Sequence, residues 1–189
     1  GAMKPKDEEA LKEKNKKRRS ADAHSAEAET SPLSTLSPVQ QQAMESIEKS
    51  FSEKNVTLLH GVTSSGKTEI YIHIIHKCLQ EGKQVLYLLP EIALTTQITE
   101  RLRRVFGDKM GVYHSKFTEA QRLDIYKRQA SACPYQLILG VRSGIFLPFS
   151  NLGLIIIDEE HEHSYKQQEP APRYHARSAA IMLAHMAGA

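Results

Sequence analysis

Tryptophan is absent, cysteine occurs only twice, and no apolar run reaches the roughly 20 residues that a bilayer-spanning helix needs. Cys78 and Cys133 lie far apart, so neither a disulfide framework nor a CxxC metal or redox motif is on offer. Both read as packed or idle thiols of a reducing compartment. The amino terminus is charged rather than apolar, which argues against a signal peptide; with no spanning run, the expectation is a cytoplasmic protein with no membrane partner. A strong charge of either sign is also missing. Net charge is +3, and residues 1–30 hold 8 of the 25 Lys+Arg and 7 of the 22 Asp+Glu, leaving 17 against 15 in the remainder. The body is nearly neutral, so any contact with a polyanion must come from local placement rather than a bulk field. There is no internal repeat and no coiled-coil or collagen-like period. The 189 residues can bury one sizeable core, two small ones not being excluded.

Gly1-Ala2-Met3 reads as a tag remnant, and residues 4–33 as a charged linker too poor in apolar residues to bury anything. Its cluster Lys16-Lys17-Arg18-Arg19 suits a solvated linker or a touch on a phosphate backbone. Organised sequence begins near Leu36. Ser37-Pro38 offers an N-cap and a first-turn proline for a helix to about Ser50, with Ala43, Met44 and Ile47 on its apolar side. Five short apolar runs follow: Val56–Leu59, Gln84–Leu89, Met110–Tyr113, Gln136–Leu139 and Leu152–Ile157. Helical patterns at Thr68–Gln80, Ala93–Phe106 and Thr118–Ala130 lie between them, the last opening on the capping box Thr118-x-x-Gln121. Buried strands alternating with helices predict an α/β fold with a parallel sheet and right-handed crossovers. Ligands then belong at the carboxyl ends of the strands.

Two motifs fall there. Gly61-Val62-Thr63-Ser64-Ser65-Gly66-Lys67-Thr68 is a complete G-x-x-x-x-G-K-[ST] loop between an apolar run and a helix. Glycines let backbone N–H groups turn inward around a polyphosphate, and the helix adds its positive end. Lys67 is placed to reach the outer phosphates, and the Thr68 hydroxyl to ligate Mg²⁺. Downstream, Leu152–Ile157 runs into Asp158-Glu159-Glu160-His161. Asp158 is the expected holder of Mg²⁺, and Glu159 the expected base for an attacking water. A Gly/Ser turn before a helix, or a solvated acidic turn, would explain either motif alone. Together they point to a nucleoside triphosphate with Mg²⁺ as the substrate pair.

The run Asp158–His161 resembles the DExH box of superfamily 2 helicases. The flanking Pro90-Glu91-Ile92-Ala93-Leu94-Thr95-Thr96-Gln97, Gly140-Val141-Arg142-Ser143 with Phe146-Leu147-Pro148-Phe149, and Ser164-Tyr165-Lys166-Gln167-Gln168 narrow the resemblance to the primosomal, replication-restart helicases. The resemblance runs from about Leu36 to the carboxyl end. It implies a P-loop NTPase with a RecA-like three-layer domain, residues 34–189 being the ATP-binding first lobe, truncated before the motif that follows the acidic box. It further implies a parent enzyme that uses ATP to move 3′ to 5′ on single-stranded or forked DNA, alongside other primosome proteins and single-stranded-DNA-binding protein. By the same resemblance Gln40 reads adenine, while Thr95, Thr96, Gln97, Arg142 and Ser143 grip DNA phosphates. Glu160 and His161 couple hydrolysis to movement. Tyr165, Lys166, Arg173, Tyr174 and His175 belong to a ring-and-cation loop that stacks on unpaired bases. His114-Ser115 occupies a similar strand end, with either a structural or a phosphate-gripping role. Zinc is implied for the whole family, but its cysteine ligands do not occur in this chain. A helicase needs a second lobe, so the chain alone is expected to bind ATP and DNA weakly and to hydrolyse ATP poorly. Alternatives from the residues themselves are another superfamily 2 translocase, a P-loop phosphotransferase, a non-enzymatic docking module, or a zinc site built on His161, His163 and His175.

Overall fold

The computed structural model describes residues 31–61 and 65–189. The expectations for residues 1–30, and for Thr63 and Ser64, lie outside them. Among the described residues, nine regular elements follow in order: α1 (Pro38–Glu53), α2 (Lys67–Gln80), β1 (Gln84–Leu88), α3 (Thr96–Phe106), β2 (Met110–Tyr113), α4 (Glu119–Gln129), β3 (Leu137–Gly140), β4 (Leu152–Ile157) and α5 (Ala176–Ala187). Single 3₁₀ turns sit at Gly107–Lys109, Arg142–Phe146 and His163–Tyr165.

The strands form one parallel sheet in the order β2-β3-β1-β4. Side chains alternate across it, as the two-residue strand period requires. Val85, Tyr87, Leu89, Leu137, Leu139 and Ile156 face a core shared with α2 and α3. Leu86, Leu88, Ile138 and Tyr165 face a second core closed by the Arg142–Phe146 turn and α5. Every residue of β1 is buried, because helices cover both faces of this central strand. Gln84, at its start, is buried with its amide satisfied: it donates to the Tyr135 carbonyl and accepts the N–H groups of Ser150 and Asn151. The three-layer α/β architecture is the expected RecA-like one.

Two expected elements change. Val56–Leu59 is not a strand: Val56 and Leu58 are exposed, and the stretch faces β4 across a cavity of about 710 Å³ that both line. A strand needs a ladder partner, and none lies beside this run among the described residues. The third predicted helix starts at Thr96 rather than Ala93, because Pro90 first closes a turn by accepting the N–H groups of Ala93 and Leu94. Residues 31–33, at the end of the predicted linker, also dock on the body. The Ser31 N–H donates to the Arg104 carbonyl at 2.7 Å, and Leu33 packs against the first core.

Candidate nucleotide site

The sequence places its two motifs at the same end of the sheet. The phosphate loop enters α2 at Gly66, whose φ of +82° is the left-handed conformation that favours glycine. A side chain there would also collide with the Gln40 amide, 2.4 Å from where its Cβ would stand. Gln40 is held by the capping box of α1. Its carbonyl oxygen accepts the Ser37 N–H at 2.8 Å, and its amide nitrogen donates to the Gly66 carbonyl at 3.3 Å. The residue expected to read adenine is therefore braced against the loop.

Lys67, in the first turn of α2, donates to the Gly61 carbonyl at 3.0 Å and lies 3.5 Å from a Glu159 carboxylate oxygen. A second cavity, about 300 Å³, is lined by Gly61, Lys67, Asp158, Glu159, Glu160 and His161. Residues 92 apart in sequence thus meet as the spacing predicts. Thr68 follows Lys67 in that turn, and Ser65 is exposed at the loop.

Asp158 leaves β4 with both carboxylate oxygens engaged. One accepts the Tyr87 hydroxyl at 3.0 Å and the other the Glu159 N–H at 3.0 Å. Burial pushes its carboxyl above the usual aspartate range; the Tyr87 and Glu159 hydrogen bonds oppose this, and so, more weakly, does Lys67. Glu159 has φ +46°, rare for a residue with a side chain and a form of strain found at working sites. His161 is exposed, with its Nε2 3.8 Å from the other Glu159 oxygen, and Glu160 pairs with Arg177 of α5. The Asp158 oxygens and the Thr68 hydroxyl are hard donors of the kind magnesium takes, with water and phosphate completing its shell. No group of three His, Cys, Asp or Glu among the described residues could hold a metal, so His161, His163 and His175 do not form a zinc site.

The expected DNA-facing residues divide. Thr95, Thr96 and Gln97 are exposed at the start of α3, where the Thr95 hydroxyl accepts the Ile98 N–H as N-cap. Arg142 is strapped to the ring-bearing loop, donating to the Ser164 and Lys166 carbonyls at 3.2 and 3.1 Å. Ser143 is half-buried in the adjoining turn. Lys166 and Arg173 are exposed, Arg173 pairing with Glu169 at 3.5 Å. His175 caps α5 by accepting the Arg177 N–H.

Tyr165 departs from its expected role. It is 0% exposed, and its hydroxyl donates to the carbonyls of Asp158 (2.7 Å) and Leu88 (3.1 Å), so no ring face is free for a base. Its ring instead ties the loop to the acidic box. Tyr174 is half-buried with its ring 5.0 Å from Phe146 in an edge-on contact, and Phe146 is 63% exposed. Sequence reasoning passed over Phe146 as a stacking ring because it stands in the apolar run Ile145-Phe146-Leu147, which reads as core. His114 makes local contacts: its Nδ1 accepts the Lys116 N–H and its ring lies 3.9 Å from that of Phe117.

The DEAD/DEAH box helicase family matches residues 37–185. Replication restart protein PriA of Bacillus subtilis is 48% identical over 157 residues, which are 82% of this chain and 19% of that protein. The protein of the same name from Haemophilus influenzae is 52% identical over 130 residues, 69% of this chain and 18% of that one. The chain thus spans about a fifth of the length of these curated relatives. Among solved structures, the DNA-bound ATP-dependent Type ISP restriction-modification enzyme LlaBIII superimposes with a TM-score of 0.55 at 19% identity. That match covers 79% of this chain and 12% of the other, a likeness of fold.

Proposed function

This chain belongs to the DEAD/DEAH box helicase family, and from that premise we propose that it is the ATP-binding first lobe of a 3′-to-5′ DNA helicase acting in replication restart. One observation carries the reading. The phosphate-loop ammonium and the strand-delivered acid pair face one cavity, with Lys67 3.5 Å from Glu159. Similarity to the PriA proteins supports the restart assignment.

Within the site, Lys67 exchanges the Gly61 carbonyl and Glu159 for the outer phosphates, while the loop amides and the end of α2 bind the rest of the polyphosphate. Thr68 and Asp158 would hold Mg²⁺, which supplies charge neutralisation at the phosphates. Glu159, freed from Lys67, orients the attacking water and takes its proton. Gln40 turns from the Gly66 carbonyl to the adenine edge, so nucleotide arrival is felt in α1. Thr95, Thr96 and Gln97 grip strand phosphates at the end of α3, and Arg142 with Ser143 holds the loop that meets unpaired bases through Tyr174, Phe146, Lys166, Arg173 and His175. Glu160, His161 and the Tyr165 hydroxyl link that loop to the acidic box. Primosome proteins and single-stranded-DNA-binding protein are the proposed partners, and the cytoplasm the proposed setting.

The test is ATP hydrolysis by the full-length protein that carries this lobe, with and without single-stranded DNA. The expected outcome is stimulation by DNA and a loss of roughly a hundredfold or more in Lys67→Ala. Hydrolysis indifferent to DNA would instead support a small-molecule phosphotransferase.

A further inference from the structure

We propose that Tyr87 is a positioning residue for the nucleotide site, fixing the Asp158 carboxylate in the plane it needs to hold magnesium. The proposal rests on the reading of Asp158 given above. Tyr87 stands on β1, the strand beside β4, in register with Ile156, and is 0% exposed. Its hydroxyl donates to one Asp158 oxygen at 3.0 Å, while the Glu159 N–H donates to the other at 3.0 Å.

Two donors, one on each oxygen, stop the carboxylate from turning about its last torsion, a soft one when unrestrained. Each oxygen keeps a lone pair for a magnesium-bound water. The Glu159 bond is local and comes from the turn itself. The Tyr87 bond alone ties the carboxylate to the rigid sheet, as outer partners of metal-holding groups do elsewhere. Tyr71 on α2 packs edge-on against the Tyr87 ring at 5.7 Å and fixes the ring in turn, without a hydrogen bond of its own to Asp158. Nothing in the phosphate-loop or acid-box pattern points to position 87, because only the pairing of β1 with β4 brings it there.

The experiment is equilibrium binding of a fluorescent, non-hydrolysable ATP analogue to the full-length protein, titrated with Mg²⁺ and repeated in chelator. Tyr87→Phe keeps the ring and removes the hydroxyl. It should raise the Mg²⁺ half-point about tenfold, leave the chelator affinity at the wild-type value, and regain wild-type kcat at saturating Mg²⁺. Tyr71→Phe should leave the half-point unmoved, and on an Asp158→Ala background Tyr87→Phe should shift it no further. Tyr87→Met, which fills the space with a flexible apolar chain, should repeat the shift if the Phe variant melts too low to measure. A Tyr87→Phe curve overlying wild type, or a Tyr71→Phe shift of equal size, overturns the proposal and leaves the site reading intact. A wild-type protein whose analogue binding ignores both Mg²⁺ and Lys67→Ala overturns the two together.

Discussion

At Asp158 two demands pull apart. Burial disfavours its charge and holds its carboxyl above the ordinary range, while the chemistry asks for the ionised form. A carboxyl whose folded pKa is raised weakens the fold at pH values above that pKa and ceases to do so as pH falls through it. Asp158→Asn should therefore melt above wild type at neutral pH, with the margin closing on acidification, while Mg²⁺-dependent hydrolysis is lost. Melting curves across the acid range read out the first effect directly. Glu159→Gln should keep nucleotide binding and lower turnover by about 10²–10⁴-fold, as removal of a general base does; single-turnover kinetics separates the two steps. Lys67, Asp158 and Glu159 were legible because motif spacing encodes a backbone path, glycine loop into helix and apolar strand into acids. Tyr165 was not. A ring among cations in a polar loop looks available to a base, and only the packing of that loop over β1 and β4 buries it and turns its hydroxyl to two carbonyls. Tyr165→Phe should cost about 1–3 kcal/mol of stability by orphaning the Asp158 carbonyl, the Leu88 carbonyl keeping the Asp158 N–H, measurable by denaturant unfolding.

Among the elements, helix ends followed their local chemistry. Ser37, Thr95 and Thr118 cap α1, α3 and α4, and glutamine three residues after Ser37 and Thr118 closes a capping box in each case. Four of the five apolar runs became strands within a residue of their expected ends. The fifth, Val56–Leu59, did not, since apolar character marks a segment for burial but cannot supply a neighbour to bond. Thr95 carries two roles that substitution can part. Thr95→Asn keeps a capping oxygen and should leave both melting temperature and DNA affinity nearly unchanged. Thr95→Asp keeps the cap and adds a charge that repels phosphate, so single-stranded-DNA affinity of the full-length protein should fall while the melt holds. Loss of melting temperature in Thr95→Asp would place the residue in the fold alone. Thr118→Ala, with the same cap chemistry at a residue outside the lining of the nucleotide cavity, should cost about 1 kcal/mol and leave hydrolysis untouched.

Across the whole molecule, the acid box touches the phosphate loop through Lys67 and Glu159 and the ring-bearing loop through Tyr165, and one sheet underlies all three. Tyr87 reaches the Asp158 carboxylate from β1, and Tyr165 closes the second core beneath the same residue. β1 is thus the rigid reference for both. β4, by contrast, is paired among the described residues on its β1 side only, and its outer margin borders the large cavity opposite Val56–Leu58. Most of its residues are half-buried rather than buried. Unsatisfied amides and carbonyls in a row, backed by isoleucines, act as a template for any extended chain that drifts past. A concentrated solution of these 189 residues by themselves should turn cloudy sooner than one of the full-length protein, and light scattering against concentration would expose stickiness that the sealed, doubly flanked middle of the sheet could never produce.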